Sequence, residues 1–343
     1  MMPLPSKIIV TRFSAMGDVA MVASVLKEFC VQYPDVQLIM VSRPFFRAFF
    51  DEIPQITFHP FDPKGKHKGI LGIRQLKQEL DQYQATAVAD LHYNLRSRIL
   101  GFLFRLSGTR VVGLDKGRKE KKQLTRTVDK VLKPLRQTTE RYADVFRKLG
   151  FTVHLSHTRI TRKEQLPQMA RAMFADEGTA KIGIAPFAQH PYKVFPLAKM
   201  GKVIQTLSEK GYETFIFGGG NEEKKIAAQW ESQFRNVHNT IGLFTLKEEL
   251  AIISNLNLMI SMDSSGMHMA SLMDIRCLSI WGATHPFAGF LGYGQVLEDC
   301  IQVDHPNRPG SVYGNKPCDC DGIEAIDLVT PEMVIDKIGI SGI

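Results

Sequence analysis

Short apolar segments of strand length recur along this chain. Each is followed by small polar residues and then by a stretch with helical spacing of apolar residues. Residues 7–10 lead in this way into 11–18, and residues 256–260 lead into 261–268. Strands that alternate with helices form parallel sheets whose faces the helices cover. We therefore predict an α/β fold of the doubly wound, Rossmann-like type, with strands at 7–10, 36–41, 85–90, 111–114, 181–185, 212–217, 256–260 and 277–281.

The alternation of strands and helices is interrupted once, which predicts two domains. It is lost between about residues 152 and 179, and 343 residues are enough for two domains of ordinary size. We place an N-terminal domain over 1–160, a linker over 161–180 and a C-terminal domain over 181–325. A final helix is expected within 326–343, with the N-terminal domain as a place where it could pack.

The composition is that of a globular protein without membrane-spanning segments. Apolar residues make up 44% of the chain. The sequence contains no window of eighteen apolar residues, so it predicts no transmembrane helix. The N-terminus lacks the apolar core of a secretory signal, so we expect a cytoplasmic protein. The five cysteines, of which only Cys318 and Cys320 lie close together, indicate free thiols in a reducing compartment rather than a metal site.

Most of the net charge of +8 lies in one segment. Between Lys116 and Arg136 there are nine basic residues and two acidic ones. Such a segment attracts anionic partners, or it is simply a solvated helix face. No aromatic residue is interleaved with the charges, so bases have no platform on which to stack. We therefore favour an anionic membrane surface over nucleic acid as the partner.

The strand over 256–260 ends in a polar turn that opens a helix. The backbone N–H groups of a helix N-terminus, together with the positive end of the helix dipole, readily bind phosphate. Asp263, Ser264, Ser265 and His268 lie where their side chains can reach the same ligand. The alternative is a simple helix cap formed by Asp263 or Ser264, with His268 on the helix surface.

The turn after the first strand is a second place where a ligand is expected, because doubly wound sheets bind ligands at the carboxyl ends of their strands. This turn contains Gly17 and Asp18 but no G-x-G-x-x-G. The absence of this dinucleotide-binding motif argues against a Rossmann oxidoreductase or a sugar-nucleotide epimerase. Asp18 is either a helix cap or a base that takes a proton from an acceptor hydroxyl.

Seven motifs are spread along the chain. They are Arg12-Phe-Ser-Ala-Met-Gly-Asp18, Asp90-Leu-His with Arg96-Ser97, Glu140-Arg-Tyr142, Tyr192-Lys-Val-Phe-Pro196, Gly218-Gly-Gly-Asn-Glu222, Met262-Asp-Ser-Ser-Gly-Met-His268 and Trp281-Gly-Ala-Thr-His-Pro286. Their order and spacing resemble the heptosyltransferase family of lipopolysaccharide core synthesis, glycosyltransferase family 9. The resemblance covers nearly the full length. It implies the GT-B architecture, an α/β fold in which two Rossmann-like domains face each other across a cleft.

The resemblance also implies roles for individual residues. Asp18 corresponds to the general base that activates the acceptor hydroxyl, and Lys193 to the lysine that stabilises the leaving diphosphate. Glu222 corresponds to the glutamate that holds the nucleotide ribose, and Phe244 falls near the position that contacts adenine. The other expected donor-binding residues are Asp263, Ser264, Ser265, Gly266 and His268, and the expected acceptor-side residues are Arg12, Asp90 and Arg96.

The resemblance implies an inverting, metal-independent glycosyltransferase without a cofactor. It would move a heptose or related sugar from an ADP-sugar, ADP-heptose above all, to a lipid A or core oligosaccharide acceptor. No D-x-D metal signature stands at the site, and Lys193 can replace a divalent ion. Such an enzyme would work in the cytoplasm, at the inner face of the cytoplasmic membrane, with residues 116–136 facing anionic lipid.

Two departures from the family pattern leave alternatives open. Ser265 stands where the family usually has glycine, and His285 stands where it often has an aspartate. Another nucleotide-sugar donor is therefore an alternative within the GT-B transferases. A non-catalytic nucleotide-sugar-binding homologue is the other, although binding alone would not need both Asp18 and Lys193.

Overall fold

Two compact units make up the chain, each with its own parallel sheet and apolar core. The first unit consists of residues 4–116 and 138–157. The second consists of residues 117–137 and the described residues from 158 onwards. The structure, a computed structural model, describes residues 4–159, 163–174, 176 and 178–340.

The first unit contains a five-stranded parallel sheet. Its strands are β1 (Lys7–Thr11), β2 (Gln37–Ser42), β3 (Ile56–Pro60), β4 (Ala87–Asp90) and β5 (Arg110–Gly113), and its helices are α1 (Met16–Gln32), α2 (Gly69–Asp81), α3 (Leu95–Leu106) and α5 (Thr138–Lys148). The strand order is β3-β2-β1-β4-β5, so the path of the chain through the sheet reverses between β1 and β4. Open α/β sheets bind ligands at such a switch point.

The inner strands of this sheet are buried on both faces, which explains their continuous apolar runs. On one face, Phe13, Leu80 and Phe104 belong to a core formed with α2 and α3. On the other face, α1 packs against α5, where the rings of Phe29 and Phe146 lie 4.5 Å apart. The loops that follow β1 and β4 are therefore held by rigid strands.

The second unit contains a six-stranded parallel sheet. Its strands are β6 (Lys181–Ala185), β7 (Glu213–Ile216), β8 (Val237–Asn239), β9 (Leu258–Met262), β10 (Cys277–Ile280) and β11 (Cys300–Ile301), and its helices are α4 (Arg118–Leu124), α6 (Gln168–Arg171), α7 (Leu197–Glu209), α8 (Asn221–Gln233), α9 (Leu246–Ile253), α10 (Ser265–Leu272) and α11 (Pro331–Ile340). The strand order is β11-β10-β9-β6-β7-β8. The small hairpin of β12 (Asp319–Cys320) and β13 (Ile323–Glu324) lies outside this sheet.

All eight predicted strands are present, with every end within two residues of the expected position. Strands β3, β8 and β11 were not predicted. Strand β3 includes His59 and Pro60, which weaken its β pattern, and β8 and β11 are only three and two residues long. Pairing with a longer neighbouring strand, rather than local sequence, forms such short strands.

The basic segment belongs to a different domain from the one expected. Residues 117–137 belong to the second unit, although they lie within the predicted N-terminal domain of 1–160. Leu124 and Leu135 are buried in a cluster with Ala288, and the Leu135 N–H donates to the Phe287 carbonyl over 2.9 Å. These buried leucines determine where the segment packs. From the charges of the segment alone, this packing could not be predicted.

The C-terminal helix also packs within the second unit. Val334 and Ile338 of α11 belong to the core that contains Val203 and Ile204 of α7. The expectation allowed this helix to pack on the N-terminal domain; its apolar face is instead buried against α7 of the second unit. Among the described residues, no helix is long and apolar enough to cross a membrane, and all five cysteines are free thiols.

Candidate active site

In the first unit, Asp18 lies in the first turn of α1, beside the switch point between β1 and β4. Its carboxylate forms an ion pair with Arg12 and accepts a hydrogen bond from the Tyr142 hydroxyl over 3.3 Å. The Asp18 side chain is 26% exposed, so a ligand can reach a carboxylate whose orientation is held by its neighbours.

Arg12 connects the turns that follow β1 and β4. Its guanidinium donates to the carbonyls of Ser14 over 2.7 Å and Leu91 over 2.9 Å. Burial alone would lower the pKa of Arg12, but Asp18 and Tyr142 raise it above its ordinary value, so the side chain stays charged. The structure thus gives Arg12, predicted as an acceptor-side residue, the task of orienting Asp18.

His92 makes a second connection between the same two turns. Its Nδ1 accepts a hydrogen bond from the Phe13 N–H over 3.0 Å. Burial, together with the charges of Arg12 and Lys116, lowers the pKa of His92 to about 3. The imidazole is therefore neutral at physiological pH and acts as an acceptor.

Asp90, also predicted on the acceptor side, faces the interior. Its carboxylate accepts hydrogen bonds from the Thr11 hydroxyl over 3.0 Å and from the N–H groups of His92 and Tyr93 over 3.1 and 2.7 Å. Burial raises the pKa of Asp90 and these hydrogen bonds lower it, with a net rise. Asp90 therefore shapes the turn, while Arg96 lies exposed on α3 without a described hydrogen bond to Asp18 or Asp90.

In the second unit, Lys193 and Asp263 follow two adjacent strands, β6 and β9, at the carboxyl edge of the sheet. The Lys193 Nζ lies 2.9 Å from the Asp263 Oδ2, and the side chains are 16% and 4% exposed. Gly314 makes room for this lysine, because a Cβ there would lie 2.2 Å from the Lys193 Cγ. The two predicted residues are thus brought together by the strand order.

Helix α10 begins shortly after Asp263 in the chain. Ser264 is the N-cap residue, yet its side chain makes no capping hydrogen bond, and its hydroxyl lies 3.3 Å from that of Ser261. Gly266 lets α10 approach the sheet, because a Cβ there would lie 2.4 Å from the Ala185 Cβ. His268 is buried, so the alternative that placed it on the helix surface is wrong.

The predicted ribose and adenine residues follow β7 and β8, on the same edge of the sheet. Glu222 is 82% exposed and pairs with Lys225 over 2.8 Å. The neighbouring Glu223 carboxylate accepts from the Gly219 N–H over 2.7 Å. Phe244 is half-buried in the loop before α9. All these side chains stand on the edge where Lys193 and Asp263 lie.

Sequence reasoning missed Arg308, which holds the loop after β10. This arginine is 1% exposed and donates to the carbonyls of Gly282 over 2.7 Å and Thr284 over 2.9 Å. Its position in a loop rich in proline and glycine carried no local signal. Tyr142, within one of the seven motifs, was assigned no role, because its contact with Asp18 spans most of the first unit in sequence.

His285, one of the two departures from the family pattern, has a local role. Its Nδ1 accepts from the Phe287 N–H over 3.1 Å and caps the short 3₁₀ turn Pro286–Ala288. Burial, and next the charge of Arg308, lower the pKa of His285 to about 4. A neutral, buried cap explains how a histidine is accommodated at this position.

The chain matches glycosyltransferase family 9 (heptosyltransferase) over residues 73–304, about two thirds of its length. It therefore belongs to that family and is a glycosyltransferase, with an α/β fold of the GT-B type. Lipooligosaccharide heptosyltransferase 2 of Haemophilus influenzae is 23% identical over 95% of this chain and 96% of its own.

Solved structures show the same fold at low sequence identity. A glycosyl transferase family 9 protein from Veillonella parvula has a TM-score of 0.75 and 21% identity, over 98% of this chain and 96% of its own. The E. coli heptosyltransferase WaaC with ADP-2-deoxy-2-fluoro heptose has a TM-score of 0.68 and 16% identity, over 98% and 100%.

Proposed function

We propose that this glycosyltransferase moves a heptose from ADP-heptose to a lipopolysaccharide core or lipid A acceptor. The observation that carries the proposal is the edge of the second sheet, where Lys193 and Asp263 stand beside the N-terminus of α10. An ammonium and a helix N-terminus together suit a diphosphate. The Haemophilus relative is a heptosyltransferase, and the E. coli heptosyltransferase WaaC was solved with ADP-2-deoxy-2-fluoro heptose; both support heptose as the sugar, and the second supports ADP as the nucleotide.

In the proposed mechanism, Asp18 takes the proton of the acceptor hydroxyl as that oxygen attacks C1 of the sugar. One C–O bond forms while the bond to the leaving diphosphate breaks, so the anomeric centre is inverted. The ion pair with Arg12 fixes the orientation of this carboxylate. A hydrogen bond from the acceptor in place of the one from Tyr142 would direct the proton to Asp18 Oδ1.

On the donor side, Lys193 and the N–H groups at the start of α10 offset the charge that grows on the leaving ADP. This arrangement supports the proposal that no metal ion is needed. Glu222 accepts from the ribose hydroxyls and Phe244 contacts the adenine, with Ser264, Ser265 and Gly266 along the diphosphate. The first unit would accordingly bind the acceptor and the second the donor.

We further propose that the enzyme works in the cytoplasm, peripherally at the inner face of the cytoplasmic membrane. Residues 118–136 of the second unit carry exposed Lys119, Lys122 and Lys133, which suit anionic lipid. The neutral, locally bonded His285 gives no specific support to a different nucleotide-sugar donor.

A two-part experiment tests the proposal. Thermal unfolding is followed with ADP, UDP, GDP, CMP and NAD and their common sugar conjugates, first without metal and then with EDTA. ADP and ADP-heptose should raise the unfolding temperature in both conditions. Incubation with ADP-heptose and a heptose-free core acceptor should then release ADP and form a product of inverted configuration. Stabilisation by another nucleotide instead of ADP would indicate a different donor. Binding of ADP-heptose without ADP release would favour a non-catalytic homologue.

A further inference from the structure

The outer face of α3 carries large apolar side chains that are left exposed. Leu95, Phe102 and Leu106 are 73%, 56% and 70% exposed. Their spacing of seven and four residues places them in one stripe along the helix. Single exposed apolar residues are ordinary on a protein surface, but a contiguous stripe of them marks an interaction surface.

Arginines flank this stripe. Helix α3 contains Arg96, Arg98 and Arg105 and no acidic residue. The Arg98 guanidinium lies 5.5 Å from the centroid of the Tyr93 ring, and Arg105 donates to the Val111 carbonyl over 3.2 Å. Within the part of the chain that the structure describes, neither guanidinium forms an ion pair with a carboxylate. Both charges are therefore available to an anionic partner.

A groove of about 340 Å³ lies between α3 and the edge strand β5. Most of its lining is apolar, and its charged lining residues are Arg98, Arg105 and Asp90. The Asp90 carboxylate is buried and already accepts the hydrogen bonds described above. Gly113 shapes one part of the wall, because a Cβ there would lie 2.4 Å from the Tyr93 ring. The groove thus combines an apolar interior with two cationic groups, the pattern that an anionic amphiphile requires.

We propose that this face of α3 docks on a phospholipid bilayer that contains anionic headgroups. Leu95, Phe102 and Leu106 enter the acyl region, Arg98 and Arg105 bind headgroup phosphates, and the groove accepts part of one lipid chain. Charge complementarity selects this partner over a second copy, because a symmetric contact through this face would bring the same arginines of both copies together. The inference adds a docking face in the first unit to the peripheral membrane contact proposed above for residues 118–136, and it needs neither the donor nor the acceptor.

Co-sedimentation of the full chain with vesicles tests the inference. The probes are vesicles of phosphatidylcholine alone and of phosphatidylcholine with phosphatidylglycerol. The variant Leu95→Ser with Phe102→Ser should lower partitioning onto the anionic vesicles by about tenfold or more. The variant Arg98→Gln with Arg105→Gln should remove most of the preference for anionic vesicles. Val31→Ser, which removes another exposed apolar side chain, is the matched control and should bind as the wild type does.

A fluorescent variant provides a second readout. Leu95→Trp should shift its emission to the blue on anionic vesicles, since the two native tryptophans, Trp230 and Trp281, are already buried. Wild-type binding by the serine double variant, or an unshifted Leu95→Trp emission, would overturn the inference. So would lipid-free self-association that the serine variant abolishes, which would make the face a contact between copies. Failure of the proposed transfer reaction would leave these vesicle results unaffected.

Discussion

The ammonium of Lys193 and the carboxylate of Asp263 lie 2.9 Å apart at the carboxyl edge of the second sheet. Asp263 is almost fully buried, so Lys193 offsets a charge that water cannot solvate well. The same ammonium is proposed to stabilise the leaving diphosphate. The pair would therefore link the stability of the fold to the proposed chemistry.

Separate and combined substitution of this pair should distinguish its two roles. Lys193→Met leaves a buried carboxylate unpaired and should cost about 2–4 kcal/mol of unfolding free energy. It should also lower kcat by roughly 100-fold or more. Adding Asp263→Asn should restore much of the stability but not the turnover. Urea unfolding and steady-state ADP release measure the two effects, and recovery of turnover in the double variant would contradict the role of Lys193.

Gly314 should matter to turnover because it sets the position of Lys193. Its φ is +73°, and an added Cβ would lie 2.2 Å from the Lys193 Cγ. Gly314→Ala should therefore displace the lysine and lower kcat by about tenfold or more, besides a backbone strain of roughly 1 kcal/mol. Gly322→Ala is a matched control, since its φ of +88° imposes the same strain with nothing near the added Cβ. Equal kinetic losses in both variants would refute a positioning role.

Asp18→Asn should abolish most turnover while leaving donor binding intact. Removal of a general base typically lowers the rate about 10²–10⁴-fold. Calorimetric titration with ADP should give an unchanged affinity, because Asp18 belongs to the first unit. Tyr142→Phe, which removes the hydroxyl that donates to Asp18 over 3.3 Å, should give a much smaller loss. A weaker affinity for ADP in Asp18→Asn would place this carboxylate on the donor instead.

The exposed charges of the basic segment should contribute to binding on anionic membranes. Replacement of four of these residues by glutamine should weaken binding to anionic vesicles, because each basic residue near the surface contributes about 1 kcal/mol. The replaced residues are Lys119, Lys122, Arg126 and Lys133. Lys121 is left intact, because it is buried with its ammonium 4.2 Å from the Phe290 ring centroid.

A control with the same change of charge keeps the test of the basic segment specific. Its four exposed basic residues lie elsewhere in the second unit and are Lys202, Lys210, Arg235 and Lys247. Co-sedimentation of the two variants at equal ionic strength compares them. If both lose binding equally, net charge explains the effect and the basic segment has no special role.

Glu249 should make the protein less stable as pH rises towards neutrality. Burial raises the pKa of this carboxyl to about 7, so the folded chain binds its proton more tightly than the unfolded chain. Between the unfolded value and pH 7 the folded state holds more protons, and the unfolding free energy falls with rising pH. The cost above pH 7 is on the order of 1–3 kcal/mol.

Glu249→Gln should remove this pH dependence. Urea unfolding at pH 5 and pH 8 should show the variant more stable than the wild type at pH 8, with a smaller difference at pH 5. Glu209→Gln, at an exposed position near the end of α7, should change neither value. Parallel pH profiles of the wild type and Glu249→Gln would show that this carboxyl is not the responsible group.

Local patterns in the sequence were sufficient to identify the longer elements and the turns that carry the site. Asp18 and Ser264 were predicted at strand-to-helix turns and lie there. Contacts between distant segments were not predictable. The bond from Tyr142 to Asp18, the anchoring of the β10 loop by Arg308 and the assignment of residues 117–137 to the second unit all depend on packing.

The sequence by itself determined the alternation of strands and helices, the two parallel sheets and the chemical types of residue at their carboxyl ends. Periodicity and turn composition are local properties, so they can be read from adjacent residues. Only the tertiary structure decided that Lys193 is paired with Asp263, that Asp90 faces inward and that Arg12 orients Asp18. Strand order brings these side chains together, and strand order follows from the burial of whole sheets rather than from any single segment.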